Sequence, residues 1–210
     1  TASITANYPY TKILYLDTGS ITTGKVDTYQ EMELSQAPSR AKRLVKDGDI
    51  VYSTVRPIQR HYGFIRRPPD NLVVSTGFSV IETKKNIADP LFIYYALTSD
   101  DIVELLDTIA EGSTSAYPSL KPSDIESLDI LLPPLPEQGV IAAVLSSLDD
   151  KIDLLRRQNK TLEAMAETLF QQWFVEEADE RWRNGKLPDE FEFVMGQSPE
   201  GSSLNEEGVG

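Results

Sequence analysis

One stretch decides the fold: VLSSLDDKIDLLRRQNKTLEAMAETLFQQWF, residues 144–174, whose pattern predicts a single long helix. Its apolar residues, extended back to position 141, recur at alternating steps of four and three. That spacing is the a and d seam of a heptad repeat, and charged residues fill the other faces. The seam consists of Ile141, Leu145, Leu148, Ile152, Leu155, Asn159, Leu162, Ala166, Leu169 and Trp173.

A helix of this length cannot bury its own seam, so the pattern predicts a partner helix. At 1.5 Å per residue, residues 137–175 would span about 58 Å. Asn159 falls at an a position among apolar residues. A buried Asn there lowers stability but selects register and oligomeric state. We therefore interpret Asn159 as a register device; the alternative is a solvated residue at the edge of the seam.

The composition is that of a globular protein and excludes several classes of site. The chain has 210 residues, 40% of them hydrophobic and none of them Cys, so it forms no disulfide or thiolate metal site. No apolar run is long enough to span a membrane, and no signal peptide is visible, which fits a cytoplasmic protein. The chain does not begin with Met, which indicates that it has been trimmed.

Charge is distributed unevenly along the chain. The net charge of −13 argues against nucleic acid, because phosphate binding needs cations. Residues 1–70, however, carry 10 Lys and Arg against 7 Asp and Glu, so the acid lies mostly further along. A local basic face can still bind DNA, although an ordinary solvated surface fits the composition equally well.

The part before the helix predicts an α+β domain of short strands and helices. Strands are expected at 13–16 and 50–55, and a strand pair is expected on either side of Gly77. A helical pattern begins at an Asp89–Pro90 cap and runs to Gly112. A last strand is expected in SLDILL, residues 127–132. Three prolines then mark a boundary, which gives a domain at 1–135, a helix at 136–180 and a polar end at 181–210.

Catalytic motifs are scarce in this sequence. His61 is the sole histidine, so neither a Ser-His-Asp triad nor a multi-His metal site can be built. The Gly-rich phosphate-binding motifs are absent. One weak match remains, in which Asp70, Glu82 and Lys84 follow the loose pattern of Mg²⁺-dependent restriction nucleases. That nuclease reading stays open, as does a coiled-coil assembly protein that never touches DNA.

A family resemblance appears at the proline break and the helix. PPLPEQ (133–138), IAAVLSSLDDKI (141–152) and LEAMAETLFQQWF (162–174) resemble the helical region of the specificity (S) subunits of type I restriction-modification systems. Upstream, GDIVYSTVRP (48–57), VSTGFSVI (74–81) and EGSTSAYPSLKPSDIESLDILLPP (111–134) also resemble segments of that family. The first 40 residues resemble it much less.

The resemblance implies a target-recognition domain followed by one long coiled-coil-type helix. Such subunits hold two recognition domains, each with one helix, and the helices pair antiparallel as a spacer between two DNA half-sites. Methyltransferase (M) subunits dock on this scaffold and carry out the chemistry, and a restriction (R) subunit joins them. The resemblance therefore implies a non-catalytic chain that binds double-stranded DNA and needs no cofactor or metal of its own.

This chain departs from the pattern because it has one domain and one helix. Its tail, FEFVMGQSPEGSSLNEEGVG (191–210), resembles the start of a recognition domain. The chain is therefore either a natural half-subunit with a permuted repeat or a fragment of a full subunit. In either case the unpaired seam predicts a twofold homodimer with antiparallel helices that reads a bipartite site.

The candidate DNA-reading residues fall in three groups. Arg suits guanine edges and Gln suits adenine, whereas Ser, Thr and Lys suit phosphates. The groups are a basic run, a segment after the second strand and a Gly-Ser-Thr loop: Arg40, Lys42, Arg43 and Lys46; Arg56, Gln59, Arg60, His61 and Tyr62; and Ser113, Thr114, Ser115, Tyr117 and Lys121. A solvated charge or a turn residue is the alternative for each.

Overall fold

Short strands and helices fill the part of the chain that the structure, a computed structural model, describes. That part is residues 2–113 and 117–179, with isolated positions at 181, 182, 185, 186, 189, 192 and 196. Within these ranges no helix is long and apolar enough to cross a membrane. The strands are β1 Lys12–Leu16, β2 Ile21–Thr22, β3 Lys25–Val26, β4 Gln30–Glu33, β5 Ala41–Leu44, β6 Ile50–Ser53, β7 Tyr62–Phe64, β8 Leu72–Ser75 and β9 Phe78–Ile81. The helices are α1 Pro90–Leu97, α2 Asp100–Glu111, α3 Pro122–Glu126 and α4 Leu135–Gln171.

Two sheets and a small hairpin organise the strands. The larger sheet has the order β4-β1-β8-β5, with β1 parallel to β8 and the other neighbours antiparallel. The smaller sheet is antiparallel, with the order β7-β6-β9. The strands β2 and β3 pair with each other. The α+β class expected from the sequence is confirmed.

Among the described residues, three apolar clusters form the core. One cluster joins residues of the larger sheet, such as Leu16 and Val74, to Val51 and Phe78 of the smaller sheet. A second packs the smaller sheet against α1 and α2. The third covers the outer face of the larger sheet. Strands β6 and β8 are buried along their whole length, because each lies between two covered faces.

Local predictions before the helices are largely confirmed. The first strand and the strand pair around Gly77 are present, whereas β6 stops at Ser53, two residues earlier than expected. Asp89 caps α1, its side chain accepting hydrogen bonds from the amides of Leu91 and Phe92 at 2.9 Å. The segment that follows Lys121 forms the short helix α3.

The helical pattern from 90 to 111 forms two helices rather than one. The break falls at Thr98 and Ser99, whose hydroxyls donate to the carbonyls of Tyr94 and Ala96. Such bonds compete with the helical ladder and favour a helix end. Gly112 ends α2 as expected.

The predicted last strand is wrong. Residues 128–134, all of them described, form no strand and pair with no neighbour. Leu131 is 93% exposed, and Pro133 and Pro134 cannot donate to a sheet ladder. Apolar character here reflects partial packing of Leu128 and Ile130 on the core rather than a strand.

The long helix is confirmed and begins at Leu135, one residue before the predicted segment 136–180. It has 37 residues and continues into a π-helical turn, Gln172–Glu176. The chain divides into two compact units, Thr1–Asp153 and Leu154–Gly210. The domain boundary placed at the proline break stays a prediction, and most of the predicted polar end, 181–210, lies outside the described residues.

Within the second unit, aromatic side chains cluster at the end of the helix. The rings of Phe170 and Phe174 stack at 5.1 Å between centroids, and Trp182 lies 6.0 Å from Phe174.

Candidate nucleic-acid interface

Loops that follow several strands lie together at one edge of the domain. Strands β1 and β8 run parallel, so Asp17 and Thr76 follow them at the same edge. The Thr54 amide, just after β6, donates to the Gly77 carbonyl at 2.9 Å, and the Thr76 amide donates to the Arg40 carbonyl at 2.8 Å. We call this edge the rim and define it as Asp17, Arg40, residues 54–61, Ser113 and residues 117–121.

The loop around residues 113–121 joins the rim through backbone contacts. The Leu120 amide donates to the Thr54 carbonyl at 2.7 Å, and the Arg56 amide donates to the Pro118 carbonyl at 3.1 Å. The Ser119 amide in turn lies 3.3 Å from the Ser113 hydroxyl. Two of the three groups of candidates are therefore adjacent in space although they are 57 residues apart in sequence.

A tight turn, Pro57–Gln59, presents the central candidates. It lies between Arg56 and Arg60, both of which have left-handed backbone conformations, with φ of 47° and 57°. Such values are uncommon for a residue with a side chain and persist where the surroundings enforce them. The turn is closed by the Arg60 amide donating to the Pro57 carbonyl at 2.9 Å, and it is tied to α2 by the Ile58 amide donating to Asp107 Oδ1 at 3.1 Å.

The side chains of this turn differ in accessibility. Arg56 and Gln59 are exposed, and the Arg56 guanidinium lies over the Tyr117 ring at 5.5 Å from its centroid. Tyr117 is itself 61% exposed. Arg60 is half-buried and forms an ion pair with Asp100 at 2.8 Å. The rim thus offers a cation, an amide and an aromatic ring to solvent, which are groups that contact phosphates and bases.

His61 and Tyr62 lie deeper than the sequence suggested. His61 Nδ1 is 2.6 Å from the Ile21 carbonyl oxygen, so this nitrogen carries a proton and donates it. Tyr62 is buried, stacks on Tyr52 and interacts with the Arg60 guanidinium. Burial raises the pKa of Tyr62, which stays a neutral hydroxyl that supports Arg60.

The basic run does not form one patch. Arg40 lies at the rim, where its guanidinium is 3.6 Å from Asp17. Lys42 and Arg43 lie along β5. Lys46 lies at the far end, where it is paired with Glu82, and this contact raises the pKa of Lys46. The structure therefore brings Arg40 to the other rim candidates and places Lys46 away from them.

The remaining loop candidates are partly outside the described residues. Thr114 and Ser115 lie there, so their predicted role stays a prediction. Ser113 is in the rim, and Lys121 is exposed at the start of α3, where its amide donates to Asp124 at 2.7 Å.

The alternative nuclease site receives no support from the described residues. Glu82 pairs with Lys46, and Asp70 interacts with the Tyr10 hydroxyl. No described group of three or more His, Cys, Asp or Glu could hold a metal ion.

Sequence reasoning missed Asp100 and Asp107. Both lie on α2, about 40 to 50 residues after the groups they hold in place: Asp100 pairs with Arg60, and Asp107 accepts from the Ile58 amide. Their position in an acidic helical segment gives no local signal of this role, because the contacts are set by packing of α2 on the turn.

The comparisons with known proteins point in one direction. The family model "Type I restriction modification DNA specificity domain" matches residues 4–164. The specificity subunit of type I restriction enzyme HindI from Haemophilus influenzae is 35% identical over 167 residues, which are 80% of this chain and 36% of that protein. A putative MjaX specificity subunit from Methanocaldococcus jannaschii is 28% identical, over 97% of this chain and 51% of that protein.

Solved structures agree with these relatives. The HsdS subunit from Thermoanaerobacter tengcongensis matches 95% of this chain and 53% of its own, with a TM-score of 0.61 and 29% identity. A chain from a study of complex assembly and conformational transition of the type I R-M system matches 96% of this chain and 54% of its own, with a TM-score of 0.61 and 30% identity. The chain spans about a third to a half of the length of these proteins.

Proposed function

Because the chain belongs to the family of type I restriction modification DNA specificity domains, we propose that it recognises DNA for a type I restriction-modification enzyme. In this role it directs methyltransferase and restriction subunits to a target and carries out no chemistry itself. The observation that carries the proposal is the rim, where segments distant in sequence bring Arg56, Gln59 and Tyr117 together.

The proposed DNA contacts differ among the rim residues. Arg56 and Gln59 are exposed and reach base edges or phosphates, whereas Arg60 is held by Asp100 and fixes the turn. Asp17 pairs with Arg40, Asp100 pairs with Arg60, and Asp107 accepts from the Ile58 amide of the turn. Binding then depends on a few well-placed cations within an acidic protein, which limits non-specific attraction to DNA.

Self-association completes the proposal. On α4 the first seam residue, Ile141, is half-buried, and the seam residues from Leu145 to Trp173 are exposed: Leu148 is 56% and Leu162 61% accessible. The face that contacts the domain is a different one, formed by Gln138, Ala142 and Ser146. The seam is therefore available for an antiparallel partner helix, and a second copy would supply the second recognition domain of a bipartite reader.

A matched pair of arginine variants tests the rim. Arg56→Asn removes the cation and keeps a residue that tolerates a left-handed backbone. Arg67→Asn is the control, because Arg67 is also exposed, has a φ of 45° and lies beyond the other end of β7, where its amide is held by Asp47. Affinity of the chain, assembled with methyltransferase subunits, is measured for target duplexes by fluorescence anisotropy.

We expect R56N to weaken binding about 10-fold, the range of one good Arg contact, and R67N to change it less than 2-fold. If Arg56 contacts a base, its loss relaxes the discrimination between bases at one position of the target. If Arg56 contacts a phosphate, its loss weakens binding to all sequences and reduces the slope of log affinity against log salt concentration by about one. Equal affinities for R56N, R67N and the parent chain would refute the rim as the interface.

A further inference from the structure

Gln138 is an unusual residue on α4 because it is polar and fully buried, with 1% of its surface exposed. Its carboxamide oxygen accepts from the Asp89 amide at 2.9 Å. Its Nε2 donates to the carbonyls of Pro133 at 2.8 Å and Ile87 at 3.4 Å. One side chain thus bonds three backbone groups.

These three groups belong to segments without sheet partners. Ile87 and Asp89 precede α1, with Asp89 as its capping residue, and Pro133 lies in the extended segment before α4. Buried backbone groups left unpaired are costly, so the amide of Gln138 satisfies groups that no ladder reaches. The result ties the first turn of α4 to the first turn of α1.

Apart from the half-buried Ile141, the rest of this junction is small or polar. Among the described residues of α4, Ala142 is the one buried hydrophobic residue, and Ser146 accepts from Arg66 Nη2 at 3.0 Å. Tyr95 donates to Asp149 at 2.8 Å, and Lys25 pairs with Asp153 at 3.1 Å, but these contacts are exposed. Exposed pairs contribute little, so the hydrogen bonds of Gln138, together with that of Ser146, are the less exposed directional contacts between the start of α4 and the domain.

We propose that Gln138 is a positioning residue that limits which separations of two DNA half-sites the assembled enzyme accepts. The inference rests on the proposed function, since it needs a bipartite reader. Within the first unit the helix runs from Gln138 to Asp153, about 23 Å at 1.5 Å per residue. A tilt of about 10° at Gln138 would displace this part of the helix at Asp153 by roughly 4 Å, more than one base-pair step of about 3.4 Å.

The test replaces Gln138 by an apolar residue of similar shape. Gln138→Met keeps the volume and removes all three hydrogen bonds. Gln171→Met is the control, because Gln171 is exposed near the end of α4, off the seam. Each chain is assembled with methyltransferase subunits, and its affinity is measured for duplexes whose half-sites differ in separation by single base pairs, and for a single half-site.

The parent chain and Q171M are expected to prefer one separation at least 10-fold over its neighbours. Q138M is expected to lose this preference to less than 3-fold while its affinity for a single half-site changes less than 2-fold. Hydrogen exchange gives a readout without DNA: the Asp89 amide should exchange at least 10-fold faster in Q138M.

The outcomes separate the inference from the proposed function. If the parent chain shows no preference for any separation, the bipartite function fails, and with it the premise. If the parent chain shows the preference and Q138M retains it despite faster exchange at Asp89, the positioning role is overturned. Should Q138M not fold, Gln138→Asn is the second variant: it keeps a carboxamide but is one methylene shorter, so it cannot hold all three bonds at once, and it must show the same loss of preference.

Discussion

At the scale of the residue, the rim depends on a backbone geometry that could not be predicted from the sequence. Arg56 and Arg60 are candidates because of their type and their place after a strand, and this much is readable from the sequence. Their left-handed conformations and the anchoring of the turn by Asp107 arise from packing of α2 on the turn. Local propensity contains no information about a contact 49 residues away.

Tyr52 shows the same limit in the core. Its position in a strand is predictable, but its hydroxyl is buried without a hydrogen-bond partner among the described residues. Burial raises the pKa of Tyr52, so the folded chain keeps this proton when the unfolded chain, near pKa 10, releases it. Stability from this group is therefore present below about pH 10 and is lost as the pH rises further.

We expect Tyr52→Phe to raise the free energy of unfolding at pH 7 by about 0.5–1 kcal/mol, because it removes an unsatisfied polar group. Urea unfolding at pH 7 and pH 11 measures this free energy. Its decrease from pH 7 to pH 11 should be smaller in Y52F than in the parent chain. Tyr29→Phe, at an exposed position, is the control at pH 7. A loss of more than 1 kcal/mol in Y52F at pH 7 would show that the hydroxyl contributes a bond.

At the scale of the element, α4 has two functional faces, and only one of them can be recognised from the sequence. The seam is visible as a heptad pattern because its spacing is local. The face on the domain, Gln138, Ala142 and Ser146, has no apolar signature and becomes visible only with its partners. The break between α1 and α2 was missed for a similar reason, since two hydroxyls decide it.

Charge placed on the seam tests the pairing of α4. Leu148→Glu should abolish self-association, because two carboxylates would be desolvated in the interface. Ser147→Glu adds the same charge one residue away, off the seam, and should leave association unchanged. Sedimentation at micromolar concentration compares the two with the parent chain. A stable monomer for the parent chain, or a dimer of L148E as strong as that of S147E, would contradict pairing through the seam.

Asn159 gives a second prediction about the same seam. When a positions face d positions of an antiparallel copy, Leu145 meets Leu169, Leu148 meets Ala166, Ile152 meets Leu162 and Leu155 meets Asn159. The two Asn159 residues then lie four residues apart along the axis, about 6 Å, on either side of the twofold. We expect Asn159→Leu to strengthen association and to broaden the half-site separations accepted. An N159L dimer with the parent's single preferred separation would rule out the register role.

At the scale of the whole molecule, the α+β class and the helix that follows were predictable, and the topology was not. Alternation and turn residues locate strands such as β1, β8 and β9, but the parallel pairing of β1 with β8 joins segments about 60 residues apart. The segment 128–134 has strand-like apolar content, yet two prolines and the lack of a neighbouring strand leave it unpaired. Apolar composition makes a segment suitable for a strand, but the segment forms one only where the edge of a sheet is available to pair with it.

The measurement that most directly tests the central claim is a map of methylated sites in DNA exposed to this chain and its methyltransferase subunits. Recognition through the rim of two associated copies predicts methylation at one bipartite sequence with two half-sites related by twofold symmetry and one fixed separation. Under the same conditions R56N should lose methylation at that sequence, and R67N should retain it. Methylation that is unaffected by omitting this chain, or that is the same with R56N, would contradict the claim.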